Sequence, residues 1–416
     1  MRILISGAGV AGPVPAYWLV RNGFAVTVVE RAPELRRTGG HAVDLFRPAV
    51  DISEKMGVLP HIAERATGTS RMSVHPEGSR RAVRADLGKI FRATSARHVE
   101  IMRDDLTAIY HEATRDGVQY VFGDAITAIS PDGEVRFERG GPRRFGLVVG
   151  ADGLHSGVRR LIFGDTSSLS AFAGAYFAVL SLPGRRDLDG ELRIHVGVGR
   201  TAGVYGARHL DEARVLFLFR SGRLDYDHRD VPRQKELLRK AFQGMHPEVD
   251  GWLAGLGGAP AFYFDSITQL RMDTWSRGRV TLVGDAGDCP GPAVGGSTSL
   301  AVVGAYVLAG ELARAGGDHE RAFPAYERAM AEYVRRSRDV ALGAARTLVP
   351  ASRLGVWGLA RGARSISALP AGPSRALTRL ASKKARLHDS IAVDDYPLPA
   401  NAAATAPETP APHGHR

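Results

Sequence analysis

Cysteine and long apolar runs are scarce in this sequence of 416 residues. Its single cysteine, Cys289, excludes an intramolecular disulfide and a cysteine-cluster metal site. The 14 histidines show no HExxH or comparable ligand spacing, so we predict no metal site. No stretch approaches the roughly 20 apolar residues that a membrane-spanning helix needs. The first residues predict a buried strand and not a leader peptide, so we expect a cytoplasmic protein without a membrane partner.

Acidic residues are also fewer than basic ones, 44 against 55, which gives a formal net charge of +11. Such a charge attracts polyanions without sequence preference. The arginines are nevertheless spread along the chain, and the basic motif with interleaved aromatics that is typical of nucleic-acid modules is missing. We therefore expect no nucleic-acid partner. The charge favours an anionic dinucleotide or substrate, or simply a solvated basic face.

The order of apolar segments predicts an α/β fold with two lobes. Residues 2–6 and 25–29 predict buried strands on either side of a helix, and we expect Pro15 to strain or shorten the first turn of that helix. Longer extended segments follow, with a helix over 231–242. The predicted division is a first lobe in two parts (1–164 and 276–340), a strand-rich second lobe (165–275), a C-terminal helical segment (341–399) and a disordered tail (400–416).

Three glycine turns, each after a β-branched apolar run, carry the chemistry. The first has glycines at 7, 9 and 12, which allow a tight turn, close approach of a pyrophosphate and close packing of helix on strand. Glu30 ends the second strand, at the distance expected for a carboxylate that binds the hydroxyls of an adenosine ribose. The other two turns are Gly150-Ala151-Asp152-Gly153 and Gly284-Asp285. Three such turns predict one long cofactor held by distant segments, and FAD fits best.

With these motifs the sequence resembles the class A FAD-dependent monooxygenases, the p-hydroxybenzoate hydroxylase superfamily, and within it the tetracycline-inactivating branch. The segment from Gly150 to Arg159 matches the family motif GADGxxSxVR, and Gly284-Asp285-Ala286 matches its third motif. Arg103 matches the arginine that holds FAD from a helix start. The similarity extends to about residue 396. It implies a Rossmann-like FAD-binding domain, a strand-rich substrate domain and C-terminal helices.

The resemblance also implies an activity. NADPH or NADH would reduce FAD, O2 would add to give a C4a-hydroperoxide, and this species would oxygenate an aromatic or polyketide-like small molecule. The flavin carries the redox chemistry, so no side chain is assigned as a catalytic acid or base. We expect a monomer or a homodimer.

The residues that we assign to FAD, from the motifs and the resemblance together, are Gly7, Gly9, Val10, Ala11, Gly12, Glu30, Arg31, Asp44, Arg103, Asp152, Asp285, Gly295, Gly296, Ser297 and Thr298. Arg36 is assigned to the nicotinamide nucleotide. The neighbouring Arg37 could take that role if the loop lengths differ, and a solvated surface role for Arg36 is equally open.

The sequence departs from the family in the loop after Asp285. Ser297 replaces the last glycine of the family's Pro-x-x-Gly-x-Gly, and Asp288 adds a carboxylate. Either change could lower hydroxylation. An alternative hypothesis is therefore a redox-neutral flavoprotein, a cyclase or isomerase that uses FAD structurally, and a third is a non-catalytic flavin-binding protein. Aromatic and imidazole side chains of the second lobe could line a substrate pocket or belong to the core: Tyr176, His195, Tyr205, Phe217, Phe219 and Tyr263.

Overall fold

The computed structural model describes residues 1–35, 39–79, 81–184, 188, 190–291, 296–368 and 391–397. The strands are β1 (Arg2–Ser6), β2 (Ala25–Glu30), β3 (Ala42–Phe46), β4 (Arg71–Pro76), β5 (Val83–Asp86), β6 (His98–Met102), β7 (Gln119–Phe122), β8 (Ile126–Ile129), β9 (Glu134–Phe137), β10 (Arg143–Arg144), β11 (Leu147–Gly150), β12 (Ser170–Pro183), β13 (Glu191–Gly197), β14 (Arg200–Gly206), β15 (Glu212–Arg220), β16 (Phe262–Leu270), β17 (Ser276–Arg277) and β18 (Val280–Leu282).

The helices are α1 (Pro13–Arg21), α2 (Arg47–Lys55), α3 (Leu59–Glu64), α4 (Leu87–Thr94), α5 (Arg103–Glu112), α6 (Gly157–Phe163), α7 (Val231–Phe242), α8 (Pro247–Ala254), α9 (Ser297–Arg314), α10 (His319–Leu348) and α11 (Arg353–Ala368). Within the described residues, no helix is both long enough and apolar enough to cross a bilayer.

The first lobe is built on a mainly parallel sheet. Over the described ranges its strand order is β17-β18-β11-β1-β2-β7, and all neighbouring pairs are parallel except β17 with β18. The central strands β1 and β11 are buried almost throughout, because helices cover a parallel sheet on both faces. This explains why their sequences are continuous apolar runs. The α/β fold predicted for this lobe is confirmed.

Helix α1 begins at Pro13 and contains Pro15 without being shortened, so that expectation was wrong. The first intrahelical bond runs from the Ala16 N–H to the carbonyl oxygen of Gly12, at 3.3 Å. Pro15 therefore lies in the turn whose N–H groups have no intrahelical acceptor, and its missing hydrogen removes no bond. Helix α9 packs against α1, α2 and α10, and it is buried along most of its length.

The second lobe has a sheet of order β16-β12-β15-β14-β13-β4-β5 in the described part of the chain. Helices α7 and α8 cover one face around Trp252 and Phe242. The bounds of α7 match those of the predicted helix. The side chain of Asp230 caps the N-terminus of α7 by accepting a hydrogen bond from the Arg233 N–H. Strands β4 and β5 come from within residues 1–164, so that segment supplies strands to both lobes.

The C-terminal helices connect the two lobes. Helix α10 packs on α9 at one end and places Ala341 and Ala345 against Phe177 of β12 at the other, so it continues past residue 340 without a break. Helix α11 packs on β4 and β5 through Val356 and Ala360. The tail predicted over 400–416 lies outside the described residues.

Candidate functional site

Four parallel strands of the first lobe end side by side at one edge of the sheet. Ser6 of β1 pairs with Gly150 of β11 and with Val29 of β2, and Gly150 pairs with Leu282 of β18. The first and third glycine turns follow β1 and β18, the second begins at Gly150, the last residue of β11, and Glu30 is the last residue of β2. We call this edge, defined by Ser6, Glu30, Gly150 and Leu282, the motif edge. In open α/β sheets the carboxyl edge is where ligands bind.

The first glycine turn is shaped by two close backbone approaches. A Cβ on Gly7 (φ +108°) would lie 2.5 Å from the carbonyl oxygen of Ala151, and a Cβ on Gly12 would lie 1.9 Å from that of Gly7. Larger residues at these two positions would therefore clash with the backbone. A Cβ on Gly9 would meet nothing closer than Nη2 of Arg103, at 3.9 Å. Gly9 therefore faces open space beside a cation.

The third glycine turn touches the first. A Cβ on Gly284 (φ +63°) would lie 3.1 Å from the Cβ atoms of both Ala11 and Ala301. Asp285 follows, partly exposed. Burial raises the pKa of Asp285, while a hydrogen bond with the Cys289 thiol and the charge of Arg103 act in the opposite direction. The turn after β1, the turn after β18 and Arg103 are thus neighbours, as the motifs predict.

Glu30 is held by the backbone around it. Its Oε2 accepts from the Ala8 N–H and its Oε1 from the Ala32 N–H, both at 2.8 Å. Each carboxylate oxygen has a second lone pair, so the side chain can still accept hydrogen bonds from a ligand. The exposed Arg31 extends toward the second turn, where its Nη2 lies 3.8 Å from the place of a Cβ on Gly157.

The Asp152 carboxylate binds the start of α6 at the motif edge, next to the N-cap Ser156. Its Oδ2 accepts from the N–H groups of Gly157 (2.8 Å) and Val158 (3.1 Å) at the start of α6, and its Oδ1 accepts from the Ser156 hydroxyl. The carboxylate is thus well supplied with protein donors, and its partial exposure leaves it open to a ligand on one side.

Arg159, at the end of the second motif, is a structural link that sequence reasoning did not single out. It is buried and donates to the carbonyl oxygens of Ala286 (2.8 Å) and Leu154 (2.6 Å). It therefore joins the turn after β11 to the turn after β18. The signal in the sequence was the arginine that closes the GADGxxSxVR match.

Asp44 lies in β3, beside the start of α9. Its Oδ1 is 2.7 Å from Nε2 of His98, and its carbonyl oxygen accepts from the Ser299 hydroxyl at 2.9 Å. Glu100 pairs with Asp44 across the strands. Burial, and then the charge of Asp44, raises the pKa of Glu100 to about 7.

Among the residues that the structure describes, no side chain caps the backbone donors at the start of α9. Gly296 (φ +88°) precedes the helix without a side-chain cap, and Ser297 and Thr298 are partly exposed in the first turn. The N–H groups of this turn can therefore serve a ligand. Gly295, Arg36 and Arg37 lie outside the described residues.

Asp288, three residues after Asp285, is a buried carboxylate. It is 1% exposed, and neither carboxylate oxygen has a hydrogen-bond partner among the described residues. Burial, and then the charge of Asp285, raises the pKa of Asp288 well above its usual value. The charge of Arg338 on α10 opposes that rise. The extra carboxylate thus faces the protein interior.

A buried arginine of the second lobe holds the segment before β3, and sequence reasoning missed it. Arg214 donates through Nε to the carbonyl oxygen of Gly40 (2.9 Å), and its Nη1 lies 2.7 Å from a carboxylate oxygen of Glu212. Burial, and then the charges of Arg103 and Arg214, lowers the pKa of His41 to about 3. The available signal was an arginine directly before the apolar run 215–219, for which the sequence predicts an extended segment.

The aromatic residues of the second lobe divide between the two faces of its sheet. Tyr176, Phe217 and Phe219 belong to the core under α7 and α8. Tyr205 faces the first lobe, because its hydroxyl accepts from the Ala42 N–H at 2.8 Å. Tyr263 also faces that side, since its ring lies 6.1 Å from Phe177, which contacts His41.

A further link joins the second turn to the second lobe. Nε2 of His155 lies 2.8 Å from Oδ2 of Asp265, and the Tyr263 hydroxyl donates to the same oxygen at 3.2 Å. Burial raises the pKa of Tyr263 well above its usual value, so the hydroxyl stays protonated near neutral pH. These contacts set aromatic and polar groups opposite the motif edge.

Comparison with known proteins agrees with this geometry. The sequence profile of a family described as "FAD binding domain" matches residues 1–341. A flavin-dependent monooxygenase of Legionella longbeachae is 36% identical over 340 residues, which cover 80% of this chain and 86% of that protein. The monooxygenase CTB7 of Cercospora beticola is 34% identical over 379 residues, or 86% and 90% of the two chains.

Solved structures lead to the same family. The crystal structure of the tetracycline destructase Tet(51) aligns with a TM-score of 0.78 at 30% identity, over 95% of this chain and 99% of that one. A FAD cofactor, a monooxygenase activity and a mixed α/β fold with a strand-rich lobe and C-terminal helices follow from these matches. The chain therefore belongs to the class A FAD-dependent monooxygenases.

Proposed function

We propose that this enzyme uses NADH or NADPH and O2 to oxygenate an aromatic or polyketide-like small molecule. The observation that carries the proposal is the meeting of three separate turns and Arg103 at the motif edge, opposite an aromatic face of the second lobe. When bound, FAD supplies the redox chemistry, namely acceptance of a hydride and transfer of one oxygen atom from O2. The side chains would bind and orient FAD and the substrate, and they would exclude water from both.

The residues at the motif edge fit FAD in size and charge. The open space at Gly9, the uncapped start of α1 and the neighbouring Arg103 suit a pyrophosphate. Glu30 would accept from the ribose hydroxyls, with Arg31 and Asp152 nearby. Val10 and Ala11 would line the turn, and Asp285 would bind the ribityl region.

The flavin ring would lie against the start of α9. The free N–H groups after Gly296, at Ser297 and Thr298, suit the electron-rich edge of a reduced flavin, and Gly295 would belong to the same loop. Asp44 would help to fix this end of the site, because its carbonyl oxygen is bonded to Ser299 in the first turn of α9. Arg36 remains our proposed contact for the nicotinamide nucleotide.

The substrate class is inferred from the second lobe and from the relatives. Phe177, Tyr205 and Tyr263 lie on the side of the sheet that faces the first lobe, and the partly exposed Tyr263 would offer its ring to a flat, largely apolar molecule. A solved relative is a tetracycline destructase by name, and tetracyclines are polyketides. Both observations favour fused-ring phenolic compounds as the first substrates to test.

The proposal is tested by following NADH and NADPH oxidation by the FAD-loaded enzyme, with and without phenolic polyketides, under 18O2. We expect substrate to accelerate consumption of one of the nucleotides and one labelled oxygen atom to enter the product. Bound FAD that neither nucleotide reduces, even with substrate present, would instead support a redox-neutral flavoprotein. Nucleotide oxidation that yields only hydrogen peroxide with every compound tested would overturn the proposed substrate class.

A further inference from the structure

A cluster of imidazoles lies on the second lobe, away from the motif edge. His75 of β4 and His195 of β13 are direct partners in the parallel ladder, and their rings stack at 4.9 Å. His246 precedes α8, and its ring centre is 4.2 Å from that of His195. Glu248, in the first turn of α8, places Oε2 2.9 Å from Nε2 of His195. Three separate elements thus bring ligand-type side chains together.

The spacing of these atoms suits a small cation. One ligand atom from each of His195, His246 and Glu248 lies within 4.8 Å of the others. Ligand atoms lie about 2.0–2.1 Å from a zinc ion, and hence about 3.4 Å from one another in a tetrahedral site. Small side-chain rotations therefore suffice to form the site.

A cavity borders the three imidazoles, and Glu248 is not among its lining residues. It has a volume of about 40 Å³, and its lining includes His75, His195, His246, Glu77 and Ser79. This volume is larger than the 10–15 Å³ that a single water needs, and too small for an organic ligand. An ion with one bound water would fit in it.

The present hydrogen bonds show which lone pairs are already in use. Nδ1 of His246 accepts a bond from the Glu248 N–H at 3.2 Å, so a cation would either displace this bond or bind Nε2, the other ring nitrogen of His246. A cation between Nε2 of His195 and Oε2 of Glu248 would replace the proton that they now share. Oε1 of Glu248 stays with Arg193 at 2.6 Å, and Arg193 also lies 3.6 Å from Glu191, which offsets its charge.

We propose that His195, His246 and Glu248 bind a divalent transition-metal cation such as Zn²⁺, with His75 or water in the fourth position. The metal would fasten the start of α8 to β13. His195 contacts Trp252 of the core beneath α7 and α8, on the opposite side of the sheet from Tyr205 and Tyr263. The proposed metal site therefore lies away from the motif edge, where FAD would bind, and its role would be structural. Our expectation of no metal rested on local spacing, whereas these ligands lie 51 and 53 residues apart, 246 − 195 and 248 − 195.

The test uses the full chain with its FAD, without an affinity tag and freed of metal. His413 and His415 are replaced by alanine in every sample, because the C-terminal histidines could bind metal themselves. Zn²⁺ is titrated by calorimetry, and Co²⁺ is titrated while its visible absorption is recorded. We expect one equivalent of each metal to bind, a tetrahedral Co²⁺ spectrum, and a thermal midpoint that rises with Zn²⁺ concentration.

Two variants and a control locate the metal. We expect His246→Ala and Glu248→Gln each to weaken Zn²⁺ binding at least tenfold, and His61→Ala, an exposed histidine of α3, to leave it unchanged. Glu248→Gln keeps the side-chain shape, so it remains informative if His246→Ala does not fold. Substoichiometric binding, an octahedral Co²⁺ spectrum, or equal affinity in wild type and both variants would overturn the proposal. Flavin content should be unchanged throughout, which separates this site from the flavin site.

Discussion

At the residue scale, the glycines of the first turn serve two different purposes. Gly12 is closed in by the protein itself, since a Cβ there would lie 1.9 Å from a backbone oxygen, whereas the space at Gly9 is open. Gly12 is therefore required by the fold, whereas Gly9 leaves space for a ligand.

We expect Gly9→Ala to leave the thermal midpoint of the FAD-free chain within about 2 °C of wild type. FAD affinity should fall at least tenfold, about 1.4 kcal/mol, because the new methyl group occupies the space for the pyrophosphate. Gly12→Ala should instead destabilise the chain even without FAD. Gly251→Ala, whose Cβ would meet nothing within 4 Å, is the matched control. Equal losses of stability in the Gly9 and Gly12 variants would contradict this division of roles.

Glu100 gives a pH dependence at the same scale. Burial, and then Asp44, raises its pKa to about 7, above the ordinary value of 4.5. The folded state therefore holds this proton more tightly than the unfolded state. The stabilisation is complete below about pH 4.5 and is lost as the pH rises to about 7.

We expect wild type to lose on the order of 1–3 kcal/mol more stability between pH 5 and pH 8 than Glu100→Gln does, as measured by urea denaturation. Glutamine keeps an acceptor for the Thr67 hydroxyl but cannot ionise in this range. The exposed Glu138→Gln serves as the control. If wild type and Glu100→Gln showed the same slope, Glu100 would not be the titrating group.

At the scale of elements, the start of α9 depends on its contact with β3. The Ser299 hydroxyl donates to the carbonyl oxygen of Asp44 and accepts from the Phe46 N–H, both at 2.9 Å. Ser299 is fully buried, so no water can replace these bonds without a rearrangement.

We expect Ser299→Ala to destabilise the protein by about 1–3 kcal/mol, because two buried backbone groups lose their partner. FAD affinity should also fall, since the first turn of α9 is no longer fixed. Chemical denaturation and FAD titration measure the two effects. Ser365→Ala, on the exposed side of α11, should change neither. Unchanged stability would mean that α9 is positioned by its apolar packing alone.

The elements that sequence patterns predicted share a local signal. Helix α7 has a capping residue and a regular apolar period, and β1, α1 and β2 surround a glycine turn. Strands β4 and β5 were missed, because neither contains a continuous apolar run and β4 pairs with β13, far along the chain. Strand partners distant in sequence leave no local pattern.

At the scale of the whole molecule, the motif edge could be foreseen because its glycines and carboxylates are required by backbone geometry. Arg214 and Arg159 could not be assigned in the same way, because their roles depend on carbonyl groups more than 100 residues away. His195 and Glu248 lie 53 residues apart, so no local spacing pointed to their contact either. Contacts between distant segments complete both the motif edge and the histidine cluster. Only the folded chain shows these contacts.

The meeting of those segments around one FAD is the central claim, and it is tested most directly by the stoichiometry and affinity of FAD binding. The purified chain should be yellow, or become so on incubation with FAD, with one FAD per chain. Arg103→Ala should weaken binding about tenfold or more, because a charged hydrogen bond contributes about 1.5–3 kcal/mol. A folded chain that retains no FAD after incubation with excess FAD and removal of the unbound cofactor would contradict the account.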